Sequence, residues 1–172
     1  MSLDNALWHY AAAVYSQAEV ESICLRLQLH YGLSINRVLW ALWLATQGRR
    51  LAVALLYDQQ LLQWNTEILS PLRALRYRLR NSGGKTPPRQ SCYRSLQQAE
   101  LEAEKVELAR LYELGVGLHS HASGNARALA TENLYGYLQA EEVAQHAELD
   151  RLIQRLIALS IPVTPETVLG DD

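Results

Sequence analysis

The stretch LHYGLSINRVLWALWLATQGRRL, residues 29–51, constrains the fold more than any other part of the chain. Between residues 35 and 45 it holds two tryptophans, three leucines and one charge, Arg37. A membrane-spanning helix needs about 18 or more unbroken apolar residues, and this run is too short to be one. Gly32, Ser34 and Gly48 cut it as helix signals. Gly32 is a left-handed stop for the preceding helix, Ser34 an N-cap, and Gly48 the next stop, with Arg49 and Arg50 meeting the negative end of the helix dipole. A helix apolar all round belongs inside other helices, so Trp40 and Trp43 are expected in the core.

The remaining segments also carry a helical period, and none alternates as a strand does. A first helix is expected over residues 4–15. Ser16-Gln17-Ala18-Glu19 reads as a capping box opening a second, whose Val20, Ile23, Cys24, Leu27 and Tyr31 share a face. A fourth helix is expected over residues 51–69, and Ser70-Pro71 reads as a fresh N-terminus for a short basic fifth. A loop follows over residues 82–91, with Gly-Gly and Pro-Pro. A long polar helix (92–114), a second loop (115–125) and two further helices (126–138 and 140–160) complete the pattern. A chain of 172 residues can bury roughly 70% of its unfolded surface. Phe is absent beside nine Tyr and four Trp, so aromatic core volume must come from rings that want a hydrogen-bond partner. The expectation is an all-α fold: one helical domain of seven or eight helices over residues 1–160, then a flexible tail, 161–172.

Leu25-Arg26-Leu27-Gln28, Tyr31-Gly32-Leu33, Asn36, Leu39-Trp40, Leu42-Trp43-Leu44 and Gly48-Arg49 form one block, and Trp64 with Pro71-Leu72-Arg73-Ala74-Leu75-Arg76 a second. In this order they resemble a family of small conserved hypothetical proteins of Gram-negative bacteria, a domain of unknown function, across residues 8–80. Leu29 and Ser34 depart from the pattern, where an acidic residue is more usual, which puts in doubt any site those acids form. The resemblance implies a helical fold and a bacterial cytoplasmic setting, and no activity.

Charge supplies the main functional signal. From residue 73 to 94 there are seven cations and no carboxylate. On the fifth helix Arg73, Arg76 and Arg80 share one face, and Leu72, Leu75 and Leu79 another. Together with Lys85, Arg89 and the helix-end pair Arg49 and Arg50, they form an expected surface for an acidic protein partner. The competing reading is internal neutralisation by the acidic helix that follows, which carries Glu100, Glu102, Glu104, Glu107 and Glu113. Nucleic acid is less favoured, because net charge is −2. Reversible attachment to a membrane surface is a third use of the same helix.

Other chemistry is thin. Gly83-Gly84-Lys85-Thr86 lacks the earlier glycine, the preceding strand and the following helix start of a phosphate loop. His119 and His121 make two metal ligands where three or four are needed, and Glu142 with His146 has the wrong spacing for a di-iron bundle. Neither metal nor cofactor is expected. Cys24 and Cys92 lack metal-type spacing and suit a reduced, intracellular setting. Cys92 lies among Arg89 and Arg94, but one cysteine at a helix start is weak support for a nucleophile. Asn36 reads first as a capping residue. Alternatively Gln28, Asn36, Trp40 and Trp64 line a polar notch in an apolar wall, the make-up of a ligand pocket. The chain therefore reads as a non-enzymatic, cytoplasmic adaptor or regulator, the alternative being a ligand-binding or enzymatic bundle.

Overall fold

In the computed structural model, residues 1–82, 86–119 and 125–161 are described. α1 (Ala6–Tyr15), α2 (Ala18–Tyr31) and α3 (Ile35–Thr46) are followed by a 3-10 turn (Val53–Tyr57). Next come α4 (Gln59–Trp64), a π turn (Asn65–Leu69), α5 (Ser70–Asn81), α6 (Pro87–Val116), α7 (Ala126–Ala140) and α8 (Ala147–Ser160). The fold is all-α, with no strand among the described residues.

α3 is the central helix, buried at every position from 37 to 45. It packs on α7, α6, α1 and α2, and one buried cluster runs from Leu7 to Ile161. A buried asparagine pins α3 to α7. Asn133 Nδ2 donates to Ala41 O (3.1 Å) and Arg49 O (3.0 Å), while its Oδ1 accepts from the Leu51 amide (2.8 Å). Two of these bonds satisfy the Arg49 carbonyl and Leu51 amide just beyond the end of α3. The polar aromatic rings mostly find partners: Tyr10 donates to Ser160 O, and Tyr137 accepts from the Ser34 amide at 3.0 Å. Trp40 does not, its buried Nε1 having no partner.

Several local expectations change. Ser16 is not the cap of α2; it ends α1 and donates its hydroxyl to Ala13 O, leaving Gln17 at the N-cap. Gly32 is the left-handed stop it was expected to be, at φ 68°. Ser34 occupies the N-cap of α3, but its side chain makes no capping bond. Residues 51–69 are not one helix, and Ser70-Pro71 does not restart the chain. The Ser70 amide donates to Asn65 O, a wider i→i−5 bond. The π turn thus absorbs the donor Pro71 lacks, and the chain continues into α5. Pro87-Pro88 belong not to a loop but to the first turn of α6, behind N-cap Thr86, where prolines are tolerated. Ile161 is buried, and its carbonyl accepts from Arg127 Nε; residues 162–172 of the expected tail lie outside the described residues.

Candidate functional site

α5 and α6 lie side by side, and this sets the fate of the basic helix. Arg73 donates through Nε to Glu100 Oε1 (2.9 Å) and through Nη2 to Glu104 Oε1 (2.9 Å). Arg76 Nε reaches Glu100 Oε2 at 2.5 Å, and its Nη1 reaches the Tyr93 hydroxyl at 3.4 Å. Glu100 is buried. Burial alone would push its pKa up, but the Arg76 and Arg73 guanidiniums outweigh it and hold Glu100 below the usual carboxylate range. Internal neutralisation is therefore what Arg73 and Arg76 do.

The other cations of the expected surface are scattered. Arg80 stacks on the Tyr77 ring at 4.9 Å, and Arg89 Nη2 donates to Ser82 Oγ. Arg50 pairs with Glu132 at 3.0 Å, and Arg49 Nη1 donates to Gly115 O. Gly115 lies eleven residues beyond Glu104, roughly 16 Å along α6 at 1.5 Å per residue, so Arg49 and Arg50 do not join the α5 arginines. Lys85 lies outside the described residues, as do Gly83, Gly84 and His121. At the far end of α5, a groove of about 490 Å3 is lined by Leu79, Arg80, Arg89, Gln90, Tyr93, Arg94 and Gln97, with no carboxylate in its wall.

A second concavity is smaller and more enclosed. A cleft of about 350 Å3 opens between α1, the start of α3 and the middle of α6. Trp8, Ala11, Ala12, Ile35, Leu39, Leu101 and Leu108 form apolar walls, and Tyr15, Ser16, Gln28, Ser34, Asn36, Asn65, Arg73, Glu104 and Glu107 supply polar groups. Of the four expected pocket residues, Gln28 and Asn36 line this cleft. Trp40 is fully buried in the core, and Trp64 donates its Nε1 to Ala103 O at 3.0 Å, away from the lining.

Asn36 is not a cap. Its Nδ2 donates to Glu107 Oε2 at 2.7 Å, crossing from α3 to α6. Glu107 is 2% exposed, and its Oε1 is buried without a hydrogen-bond partner. Burial pushes the Glu107 carboxyl above its ordinary pKa against the opposing pull of Asn36, Arg37, Arg73 and Asn65. Glu104 is also raised, again chiefly by burial, with Glu100 and Glu107 adding repulsion to Arg73's attraction. Glu104 and Glu107 sit at i,i+3 on one face of α6, so their charges are neighbours.

Among the described residues, no group of three or more His, Cys, Asp or Glu is arranged to hold a metal ion. No described helix is long and apolar enough to cross a membrane. Cys24 and Cys92 are both free thiols, and burial pushes Cys24 up to about 12. His146 is the N-cap of α8, its Nδ1 accepting from the Leu149 amide.

A family model described as a protein of unknown function, DUF2390, matches residues 6–111. The resemblance read over residues 8–80 is thus borne out and extends through most of α6. Every residue lining the cleft falls inside the matched span. No curated protein and no solved structure matches the chain.

Proposed function

Since the chain belongs to the DUF2390 family of proteins of unknown function, we propose its role from geometry: a small-molecule-binding helical protein whose ligand occupies the α1–α3–α6 cleft. The observation that carries this reading is the convergence of Gln28, Asn36, Asn65, Arg73, Glu104 and Glu107 on one cleft of about 350 Å3 with otherwise apolar walls. That size and mixture suit a small ligand held by shape and oriented by a few polar contacts. The reading takes residues 1–160 as one domain in a cytoplasmic setting, which the two free thiols favour. The experiment is to fill the cleft. Ala12 lines it from an exposed position on α1, so Ala12→Trp should fold yet block entry. Wild-type protein incubated with a cell metabolite extract should retain a small molecule by native mass spectrometry, and the variant should not. Equal retention, or none by either, counts against the reading.

The adaptor reading retains support from one observation, the carboxylate-free groove bearing Arg80, Arg89 and Arg94. Its footprint is smaller than the charge run implies, since Arg73 and Arg76 are engaged by Glu100 and Glu104. A glutamate-rich peptide should bind with strong salt dependence, and Arg80→Glu with Arg94→Glu should abolish it. Binding that survives the double reversal removes this reading.

A further inference from the structure

The chemical class of the cleft's ligand follows from the charges beneath it. Two separate sets of ion pairs act near Glu107, Arg37 with Glu141 and Arg73 and Arg76 with Glu100 and Glu104. Glu107 lies between these pairs with no guanidinium of its own; Arg37 and Arg73 act on it only through space. Four carboxylates thus face three guanidiniums. The groups around Glu107 are Asn36 and Arg37 from α3, Asn65 from the π turn, Arg73 from α5, Glu104 from α6 and Tyr137 from α7, and Tyr15 of α1 faces Glu104. None supplies the missing positive charge. Arg73 cannot turn toward a ligand without leaving Glu100 and Glu104, to which its Nε and Nη2 are bonded.

A buried carboxylate oxygen without a donor is costly, because desolvation is uncompensated. It is also an acceptor in waiting. Glu107 lines the cleft, and its Oε1 is the buried oxygen left without a donor. A neutral hydroxyl would satisfy the oxygen but leave the charge, whereas a cation answers both. We propose that the cleft takes a ligand bearing a protonated amine or guanidinium on an apolar body, with Glu107 and Glu104 as counter-ions and Trp8, Leu39 and Leu101 against the body.

This inference rests on the cleft being a binding site, and the probes separate the two claims. Four compounds with one apolar body are titrated into the full chain by calorimetry: cyclohexylmethylammonium, cyclohexylmethylguanidinium, cyclohexylmethanol and cyclohexanecarboxylate. The two cations should bind at least tenfold more tightly than the alcohol, and the carboxylate should not bind. Glu107→Gln should lower cation affinity at least tenfold while leaving that for the alcohol within twofold. Glu102→Gln, on the exposed face of α6, should change neither. Should Glu107→Gln fail to fold, the cation-to-alcohol ratio in the wild type still decides. Alcohol or carboxylate binding as tight as the cations overturns the ligand class and leaves the cleft reading standing. Binding by none of the four overturns both.

Discussion

Asn36 donates to Glu107 across 2.7 Å, joining the first turn of α3 to the middle of α6. Asn36 thus holds Glu107 Oε2, while the other carboxylate oxygen is buried and unpartnered. The bond also brings the buried central helix and the glutamate-bearing α6 into polar contact at the cleft. The central helix therefore has two tasks. Trp40, Leu42 and Leu44 fill the core, and Asn36 holds the carboxylate that most distinguishes the candidate site.

The raised pKa of Glu107 makes stability depend on pH with a definite sign. Between its ordinary value and the raised one, the folded chain keeps a proton that the unfolded chain has lost, so stability falls as pH rises through that window and then levels. Glu107→Gln, uncharged throughout, should be at least as stable as wild type at neutral pH. The wild-type minus variant difference in urea unfolding free energy should decline from acid toward neutral pH. Parallel curves would show that Glu107 titrates normally.

Glu100 has the opposite sign. Its pKa is lowered despite burial by Arg76 and Arg73, so its stabilisation is present above the ordinary carboxylate pKa and is lost as pH falls through the folded one. Glu100→Gln takes from Arg76 the carboxylate it pairs with and from Arg73 one of two, Glu104 remaining, and breaking such a pair costs about 3–5 kcal/mol when fully buried. Because Arg73 and Arg76 retain some exposure, the expected loss is about 2–3 kcal/mol at neutral pH, shrinking in acid. Chemical denaturation at two pH values measures both.

The buried asparagine at the α3–α7 contact gives a third expectation. Asn133→Ala removes a donor pair to Ala41 O and Arg49 O and an acceptor for the Leu51 amide. Orphaned buried polar groups cost about 1–3 kcal/mol each, and some will be recovered by water. A net loss of about 2–4 kcal/mol, with faster amide exchange at Leu51, is expected. A loss within 0.5 kcal/mol, roughly the scatter of surface substitutions, would mean that these bonds are replaced.

What was legible in the sequence was what periodicity and caps encode. The central helix, the glycine stop at Gly32 that ends the helix before it and the long polar helix all follow from local pattern. The π turn was not legible, because Ser70-Pro71 is a helix-start signal that the preceding chain overrides by widening one turn. The cleft was legible by half. Gln28 and Asn36 stood out as polar residues beside an apolar run, but Trp40 and Trp64 were drawn in by their size, and packing sends both elsewhere. Glu104 and Glu107 were hidden in a helix with acids on every side. One signal marked Glu107, though not Glu104: Glu100, Ala103, Glu107 and Leu111 recur at spacings of three and four, and all four are buried. Two acids in an apolar stripe predict buried carboxylates. Arg73 and Arg76 were ambiguous because a basic face looks the same whether its partner is another molecule or the next helix.

The closest packing in the core supplies the last expectation. Gly115, near the end of α6, sits against the central helix so tightly that an added Cβ would lie 2.8 Å from Trp40 Nε1, 2.8 Å from Trp43 Cζ3 and 3.2 Å from Leu44 Cδ2. Two of these atoms belong to indole rings held inside the core, which cannot swing away as a surface side chain does. Alanine in place of a helical glycine gains about 1 kcal/mol of propensity, whereas overpacking costs about 1–3 kcal/mol. Gly115→Ala should therefore be destabilised on balance, by up to about 2 kcal/mol. Its tryptophan emission should also shift, as Trp40 and Trp43 move to make room. The Arg49 bond to Gly115 O uses the backbone and should survive in Gly115→Ala. Arg49→Ala, which removes it, should leave the tryptophan emission unchanged. An alanine variant as stable as wild type, with unaltered emission, would mean that α6 shifts away from α3 without resistance.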